Sequence, residues 1–363
     1  MPSSHHPIPP GSTIGILGGG QLGRMLAMAA AEMGYHVHIY CPEQDAPASE
    51  VAKFTTVAAY ENIGALQEFA QSVDVVTYEF ENIPADPVAE LARHAKVRPS
   101  PEILNMSQHR ILEKQAINHL GIATAPFMPV SSPEELVLAK EAIGLPAVLK
   151  TCRMGYDGKG QWKITGEKEL NDLKAQNIFS ESSHILEGFV PFRMEISVII
   201  ARDVMGNIDC YCPVQNTHKN HILHETIAPA PISVSLTEKA EHIARTIARG
   251  LDLVGLMAIE MFVTDNDDIL VNEVAPRPHN SGHWTIDACT TSQFEQTIRA
   301  ICGLPLGSTE RLCDAKMLNL IGDDVKDWQH YTAMPDAKLH LYGKKEARPG
   351  RKMGHVTYLR PKA

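Results

Sequence analysis

The feature that most restricts the fold is an alternation of apolar strands and amphipathic helices in the first hundred residues. The run "TIGILGGGQLGRMLAMAAAEMGYHVHIYCPE" (13–43) predicts a strand, a glycine turn, a helix and a second strand. "ALQEFAQSV" then predicts another helix and "DVVTYEF" a third strand. Because strands that alternate with helices form parallel sheets, this segment predicts a parallel, doubly wound sheet. It runs to about Pro101, where "RPSPEI" interrupts the pattern.

The glycine turn matches Gly-x-Gly-x-x-Gly at Gly18, Gly20 and Gly23. This spacing is typical of dinucleotide binding, in which a pyrophosphate approaches the helix N-terminus. However, the acidic residue expected after the second strand is displaced, with Glu43 as the only close candidate. The turn also differs from typical nicotinamide-binding loops at Gln21, Leu22 and Arg24. A turn that binds another phosphate or a sugar is an equally good interpretation.

The middle of the chain predicts one helix followed by mainly antiparallel strands. The helix covers "NMSQHRILEKQAINHLG" (105–121), with one side formed by Ile111, Leu112, Gln115, Ala116 and Leu120. "LPAVLK", "QWKI" and "SHILEGFV" predict a small sheet, and residues 194–231 a long antiparallel stretch. A capping box formed by Ser235 and Glu238 is expected to begin the next helix.

A β-hairpin with two opposed carboxylates is predicted by "GLMAIEMFVTDNDDILVNEVAPRP" (255–278). A turn centred between Asn266 and Asp267 places Glu260 opposite Glu273 on the same face. Since like charges opposite each other destabilise a sheet, a divalent cation is the natural partner. With Asn272 adjacent, the oxygen ligands favour Mg²⁺ or Mn²⁺ over zinc. Two solvated glutamates are the alternative, although the strands around them are apolar.

The loop "LKTCRMGYDGKGQW" (149–162) contains three glycines and two lysines but lacks the Walker spacing. Magnesium held by one or two carboxylates usually shares its ligand shell with nucleotide phosphates. The lysines of this loop are suited to neutralise phosphate charge, and its glycines allow backbone N–H groups to approach. We therefore expect a nucleotide site formed by this loop and by the hairpin 255–278, about a hundred residues later.

Two further segments carry polar side chains that suit anion binding. The stiff loop "VAPRPHNSGHWT" (274–285) is suited to direct hydrogen-bond donors at an oxyanion beside the metal. The candidate donors are Arg277, His279, Asn280 and Ser281. The alternative interpretation is a structural turn. "GKKEARPGRK" (343–352) contains five basic residues and is either a solvated face or a hairpin in which Lys344 and Arg351 bind a small phosphate. Nucleic-acid binding is a third interpretation, disfavoured by the acidic net charge. A zinc site is disfavoured at His218, His221 and His224, because their surroundings predict strand and loop.

Composition excludes several functional classes. The net charge of −10 argues against nucleic-acid binding, and no apolar run approaches the ~20 residues of a membrane span. "MPSSHHPIPPGS" lacks the pattern of a secretory signal and is interpreted as a disordered lead-in. The seven scattered cysteines suggest reduced thiols in a cytoplasmic protein. A length of 363 residues indicates two or three domains.

Taken together, these segments resemble the ATP-grasp superfamily, and within it the family of 5-(carboxyamino)imidazole ribonucleotide synthases. The resemblance extends from about Thr13 to Leu359 and rests on "GILGGGQLGRM", "TYEFENI", "GYDGKGQW", "NEVAPRPHNSGHWT" and "YGKKEARPGRKMGH". It implies an α/β and α+β protein with a Rossmann-like pre-ATP-grasp domain (13–107), an ATP-grasp domain (108–303) and a small β-rich C-terminal domain (304–363). Residues 1–12 form the lead-in. A homodimer is also implied.

The resemblance implies an ATP site between two antiparallel sheets. Arg110 and Lys150 are expected at the phosphates, beneath a closing loop formed by Gly155, Tyr156, Asp157, Gly158, Lys159, Gly160 and Gln161. The adenine is expected at Glu187, Gly188, Phe189 and Val190. Glu195 would contact the ribose, with His218 nearby. Asn272 and Glu273 complete the ATP site, and the magnesium ligands are Glu260 and Glu273. One departure is His109, which stands where the family commonly has an acidic residue.

The second implied substrate is 5-aminoimidazole ribonucleotide, with its phosphate in the basic C-terminal hairpin. Its expected ligands are Gln21, Leu22, Glu79 (or Glu81), Asn280, Lys344, Arg351 and Lys352. The implied reaction begins with attack of bicarbonate on the γ-phosphoryl group of ATP, which gives carboxyphosphate and ADP. The exocyclic amine then takes up the carboxyl group and phosphate leaves. The residues implied in catalysis are Tyr156, Asp157, Lys159 and Arg277, with Asp157 orienting the amine or accepting its proton.

Three other functions remain as alternatives. A formate-dependent glycinamide ribonucleotide transformylase would share the glycine turn and a similar "PRPH" loop, but "GYDGKGQW" and "NSGHWT" fit it less well. A nicotinamide-dependent oxidoreductase would leave the opposed pair Glu260 and Glu273 unexplained. A non-catalytic nucleotide-binding module is the third alternative, but it would not need to keep all the predicted metal-binding carboxylates and phosphate-binding lysines.

Overall fold

The computed structural model describes residues 6–155, 158–180 and 183–362. Within these ranges the first sheet is parallel and four-stranded, in the order β3-β2-β1-β4. Numbered in chain order, its strands are β1 (Thr13–Leu17), β2 (His36–Cys41), β3 (Phe54–Val57) and β4 (Val75–Tyr78). The helices that follow these strands are α1 (Gln21–Glu32), α2 (Ile63–Gln71) and α3 (Ala85–Leu91). Helices cover both faces, so the doubly wound prediction is confirmed.

Strand β3 was not predicted, because it lies at the sheet edge and none of its residues is buried. The long helix predicted over 105–121 is wrong. It is divided into α4 (Pro101–Ser107) and α5 (Arg110–His119). His109 between them is extended, and the amide of Arg110 donates to the carbonyl of Cys152 (3.0 Å) rather than continuing the first helix.

The predicted small sheet is present, and it is antiparallel and four-stranded, in the order β5-β8-β6-β7; its edge strand β5 was not predicted. Its strands are β5 (Phe127–Val130), β6 (Ala147–Thr151), β7 (Gln161–Ile164) and β8 (His184–Gly188). Helices α6 (Pro133–Ile143) and α7 (Glu167–Ala175) pack on it through Leu136 and Leu170. The glycine-rich loop connects β6 to β7.

The large sheet is antiparallel and has nine strands, in the order β14-β13-β9-β11-β12-β15-β17-β16, with β10 paired to β9. They are β9 (Phe192–Arg202), β10 (Ile208–Cys210), β11 (Val214–Lys219), β12 (Ile222–Ala228), β13 (Gly255–Thr264), β14 (Ile269–Ala275), β15 (Asp314–Ile321), β16 (Ala337–Leu341) and β17 (Lys352–Arg360). The C-terminal strands therefore extend the central sheet through the β12–β15 pair.

The remaining helices are α8 (Val234–Gly250), α9 (Thr285–Ala288), α10 (Gln293–Cys302) and α11 (Trp328–Thr332). The predicted capping box is wrong, because Ser233 caps α8 by accepting from the amide of Leu236 (3.2 Å), which places Ser235 and Glu238 inside the helix. Leu236 and Ile247 pack on the sheet, and each such burial stabilises the fold by about 1.5–3 kcal/mol.

Helix α10 joins the first sheet to the large sheet. Its residues Phe294, Ile298 and Ile301 share a hydrophobic core with Ile14 and Leu26 of the first sheet and its helix. This packing brings the carboxyl ends of β1 and β4 close to the loop after β14. Among the described residues, no helix has the length and apolar character needed to cross a membrane.

The prediction of a disordered lead-in over residues 1–12 is wrong at Ile8. Its side chain is buried in the core that α10 shares with the first sheet. Its backbone amide donates to the Cys302 carbonyl (2.8 Å), and its carbonyl accepts from the Tyr35 hydroxyl (2.7 Å).

Candidate active site

A cavity of about 300 Å³ lies where the three sheets meet. Fifteen residues predicted from the sequence line it together: Glu81, Arg110, Lys150, Gly155, Gly158, Gln161, Glu195, His218, Glu260, Asn272, Glu273, Arg277, His279, Asn280 and Lys352. They come from segments more than two hundred residues apart, so the structure brings many of the predicted nucleotide and metal residues into one site.

Other predicted residues lie outside this lining. They are Lys159, Gly160, Glu187, Gly188, Phe189 and Val190 of the ATP set, and Gln21, Leu22, Glu79, Lys344 and Arg351 of the ribonucleotide set. Tyr156 and Asp157 fall outside the described residues.

The paired carboxylates are confirmed, because Glu260 of β13 lies opposite Glu273 of β14. The predicted turn centre was half a residue too late, since Val263 pairs with Ile269 and the hairpin is centred on Asn266. A β-bulge corrects this offset at Asn272. As a result Asn272 and Glu273 both line the cavity.

Helix α5 holds this bulged strand from outside. Strand β14 is at the edge of the sheet, so its outer backbone groups need other partners. Helix α5 contacts three consecutive residues: Lys114 Nζ donates to the Asn272 carbonyl (3.2 Å), Arg110 pairs with Glu273 (3.1 Å), and Glu113 accepts from the Val274 amide (2.7 Å). This arrangement fixes the position of the Glu273 carboxylate.

Sequence reasoning missed Glu113 and Lys114. The predicted apolar side of this helix is wrong, because Leu112 is exposed whereas Glu113 and Lys114 are buried. A usable signal was the spacing of Arg110, Glu113 and Lys114, which places all three on one helical face. Burial, together with the charge of Glu273, raises the pKa of Glu113 to about 8.

A buried ion cluster lies beneath the cavity. Glu187 contacts Lys150 (2.9 Å) and Lys114 (3.4 Å). Burial alone would raise the pKa of Glu187, but the two lysine charges outweigh it and lower the pKa to about 2. Two cations therefore share one carboxylate, which leaves an excess of positive charge where a phosphate would lie.

The Glu260 carboxylate ends a buried chain of hydrogen bonds. The chain runs through Thr226, Asn216, Ser197, Ser281 and His279 to Glu260. The backbone amide of Ser281 also donates to His279 Nδ1 (3.3 Å), so the other ring nitrogen carries the proton and donates to Glu260 (3.1 Å). Although burial raises the pKa of Glu260, His279 and the charges of His218 and Arg277 lower it to about 2.

This donor set fits Mg²⁺ or Mn²⁺. Glu260 and Glu273 supply two opposed carboxylates, with Asn272 beside them. Within the described ranges, no group of three or more His, Cys, Asp or Glu side chains is arranged to hold a metal. A magnesium ion here would therefore depend on phosphate oxygens to complete its ligand shell.

The three histidines considered for a zinc site have different surroundings. His218 pairs with Glu195 (2.6 Å), whereas His224 contacts Lys219 (2.7 Å). His221 lies in the turn between β11 and β12 and lines the cavity. The strand-and-loop prediction for this segment is confirmed.

The glycine turn is occupied by a side chain of the protein itself. The amides of Gly20 and Gly23 donate to the Glu79 carboxylate (2.8 and 3.2 Å). A Cβ atom at Gly20 would lie 2.7 Å from Glu79 Oε1, so a larger residue there would displace the Glu79 carboxylate. Because Glu79 takes the place of a pyrophosphate, the structure contradicts the dinucleotide alternative.

The basic C-terminal segment forms the loop between the paired strands β16 and β17. Lys344 donates to the carbonyl of Lys352 (2.8 Å), and Lys352 lines the cavity. Burial and the charge of Arg351 lower the pKa of Lys344 to about 8. Arg277, which follows β14, forms an ion pair with Glu81, and both residues line the cavity.

Three family profiles match successive parts of the chain. The ribonucleotide synthetase preATP-grasp domain matches residues 12–108, and the ATP-grasp domain matches residues 115–294. The phosphoribosylaminoimidazole carboxylase C-terminal domain matches residues 315–363. Together they agree with the α/β and α+β architecture.

Curated relatives and a solved structure cover nearly the whole chain. The N5-carboxyaminoimidazole ribonucleotide synthase of Brucella melitensis is 50% identical over 97% of this chain and 98% of that protein. The bifunctional purine synthesis protein purC/E of Dictyostelium discoideum is 49% identical over 96% of this chain, which spans only 37% of that longer protein. The N5-carboxyaminoimidazole synthase of Aspergillus clavatus, solved with ADP and 5-aminoimidazole ribonucleotide, is 30% identical with a TM-score of 0.90, covering 97% and 94% of the two chains. The chain therefore belongs to the N5-carboxyaminoimidazole ribonucleotide synthase family of ATP-grasp ligases.

Proposed function

We propose that this chain carboxylates 5-aminoimidazole ribonucleotide in an ATP-dependent reaction of purine biosynthesis, using bicarbonate and releasing ADP and phosphate. The observation that carries the proposal is the single cavity that combines the Glu260–Glu273 pair, the cations Arg110 and Lys150, and Asn280. The Aspergillus relative binds ADP and 5-aminoimidazole ribonucleotide in the same fold, which supports both substrates.

The residues suit phosphoryl transfer, which depends on positioning and charge neutralisation rather than covalent catalysis. Arg110 and Lys150 would orient the ATP phosphates, and Arg277 would stabilise the developing charge on bicarbonate and phosphate. Glu260 and Glu273 would hold magnesium, which supplies charge neutralisation at the phosphates when bound. Carboxyphosphate hydrolyses readily, so the loop 155–161 would close to exclude water.

We assign the second half-reaction to Tyr156, Asp157 and Lys159 of that loop, with Asp157 orienting the amine or accepting its proton. Asp157→Asn is expected to lower kcat about a hundredfold, because general-base catalysis typically contributes 10²–10⁴-fold. The measurement is steady-state product carboxylation, with ADP affinity and thermal unfolding as controls. Near-normal turnover in a folded variant would show that Asp157 lacks this role.

The phosphate of the ribonucleotide is assigned to the basic loop, with Lys344 and Arg351. Since the pKa of Lys344 is lowered to about 8, its charge is present below pH 8 and lost as the pH rises through 8. We therefore expect kcat/KM for the ribonucleotide to fall by up to about tenfold per pH unit above pH 8. Lys344→Arg should move this fall to higher pH. If Lys344→Arg has the same pH profile of kcat/KM as the wild-type protein, a group other than Lys344 causes the fall.

The function is tested by ADP release from the purified protein with MgATP. Bicarbonate and 5-aminoimidazole ribonucleotide are added separately and then together, and labelled bicarbonate is followed into product. We expect strong stimulation by the ribonucleotide and bicarbonate-dependent product formation. If formate and glycinamide ribonucleotide stimulate instead, the ATP-grasp assignment stands and the proposed substrates are wrong. No stimulation by either pair would favour a non-catalytic nucleotide-binding module.

We further propose the domain boundaries 13–107, 108–303 and 304–363, and assembly as a homodimer in the cytoplasm. The boundaries are tested by limited proteolysis, in which cleavage should concentrate near residues 107 and 303. Light scattering should give twice the chain mass of 39.9 kDa. A monomeric mass at micromolar concentration would contradict the dimer.

A further inference from the structure

The loop that carries Asn280 is held by one fully buried side chain, Gln293 of α10. Its Oε1 atom accepts from the backbone amide of His279 (3.0 Å), and its Nε2 group donates to the carbonyl of the same residue (2.8 Å). Because a backbone N–H only donates and a carbonyl only accepts, these two bonds determine the orientation of the Gln293 amide.

The orientation of Gln293 determines the protonation of His283. The Nε2 group of Gln293 also lies 3.0 Å from His283 Nδ1, and as an amide nitrogen it can only donate. His283 Nδ1 is therefore the acceptor, and the ring proton is on Nε2. Burial lowers the pKa of His283 well below its usual range, which agrees with a neutral ring.

His283 in turn determines how Asn280 faces the cavity. The Nε2–H group of His283 donates to Asn280 Oδ1 (3.1 Å). The carbonyl oxygen of Asn280 is thus engaged inside the protein, and its Nδ2 amide is the group left for the cavity that Asn280 lines. Asn280 would offer a hydrogen-bond donor to a bound molecule rather than an acceptor.

We propose that His283 is a positioning residue that, through Asn280, sets the site to recognise an acceptor oxygen of the substrate. This inference rests on the proposed function, in which the substrate at Asn280 is the ribonucleotide. The relevant acceptor is then a hydroxyl, carbonyl or phosphate oxygen of that molecule. The hydrogen bonds that orient Gln293, His283 and Asn280 begin at the backbone of His279 and form without the substrate.

The first test uses no substrate. Nitrogen-15 NMR of the wild-type protein with labelled histidine, in which the His283 signals are identified by their loss in His283→Phe, should show protonated Nε2 and unprotonated Nδ1. Proton attachment at Nδ1 would overturn the proposal, whichever reaction the protein catalyses. If His283→Phe does not fold, Gln293→Met provides the identification, because it removes the partner of His283 Nδ1 and shifts that signal.

The second test is a double-mutant cycle on the KM for the ribonucleotide. His283→Phe keeps an aromatic ring between Phe294 and His355, which stack on His283 at 5.6 and 4.9 Å. Loss of its single hydrogen bond to Asn280 is expected to raise KM about three- to tenfold with little change in the KM for ATP. Asn280→Ala should raise it at least as much, and the double variant should match Asn280→Ala alone. Multiplying effects would show that His283 does not act through Asn280.

Asn280→Asp separates donor from acceptor recognition. The carboxylate keeps an oxygen for His283 but presents a second oxygen to the cavity in place of Nδ2. We expect a larger rise in KM for the ribonucleotide than in Asn280→Ala. Wild-type KM in Asn280→Asp would overturn the proposal. Failure of the wild-type protein to respond to the ribonucleotide would instead contradict the proposed function, and the NMR result would still decide the orientation of Asn280.

Discussion

Replacing Glu273 with glutamine is expected to lower kcat/KM for MgATP by roughly a thousandfold, equivalent to about 4 kcal/mol of lost charge stabilisation. Glutamine has nearly the same shape, so the strand and its bulge should be retained. The variant loses one of the two opposed carboxylates proposed to hold the metal, and it removes the negative charge that pairs with Arg110 at 3.1 Å. The measurement is ADP release at increasing magnesium concentration, where half-saturation should move to higher magnesium.

A matched control is available on the same sheet. Glu225→Gln on β12 removes a carboxylate that pairs with Lys316 and does not line the cavity. It should leave kcat/KM and the magnesium dependence close to wild type. Thermal unfolding of both variants confirms folding. If Glu273→Gln behaves like Glu225→Gln, the carboxylate pair is not the metal site.

The carboxylate pair could be predicted from the sequence because strand alternation depends only on local spacing. The bulge at Asn272 could not, since it depends on how β14 packs against α5. The same limit explains the errors in α5. Hydrophobic patterns assign charged residues to the surface, whereas Glu113 is buried because it binds the Val274 amide, 161 positions later.

The glycine turn shows a related limit on what a sequence motif predicts. The spacing of Gly18, Gly20 and Gly23 correctly predicted a tight strand-to-helix turn at the start of α1, but it predicted a bound phosphate or sugar there. The sequence did not reveal that the anion is Glu79, which lies on the loop after β4, beside β1 in the folded sheet. A motif thus determines the local backbone, while the group that occupies it depends on tertiary contacts.

The second large effect is expected at Glu187, where glutamine should destabilise the protein by about 3–5 kcal/mol. The amide would leave the buried cations Lys150 and Lys114 without a counter-charge. Chemical denaturation measures the change in unfolding free energy. The matched control is Glu167→Gln, which breaks an exposed pair with Lys140 and should cost less than about 1 kcal/mol.

The same variant tests what the buried lysines are for. If they form the phosphate site, bound MgATP supplies the negative charge that Glu187→Gln removes. MgATP should therefore raise the unfolding midpoint of Glu187→Gln more than that of the wild-type protein, because ligand binding stabilises the folded state. An equal or smaller rise would mean that the lysines serve the fold rather than the nucleotide. Glu187 would then be a structural partner of Lys114 and Lys150 in every state of the enzyme.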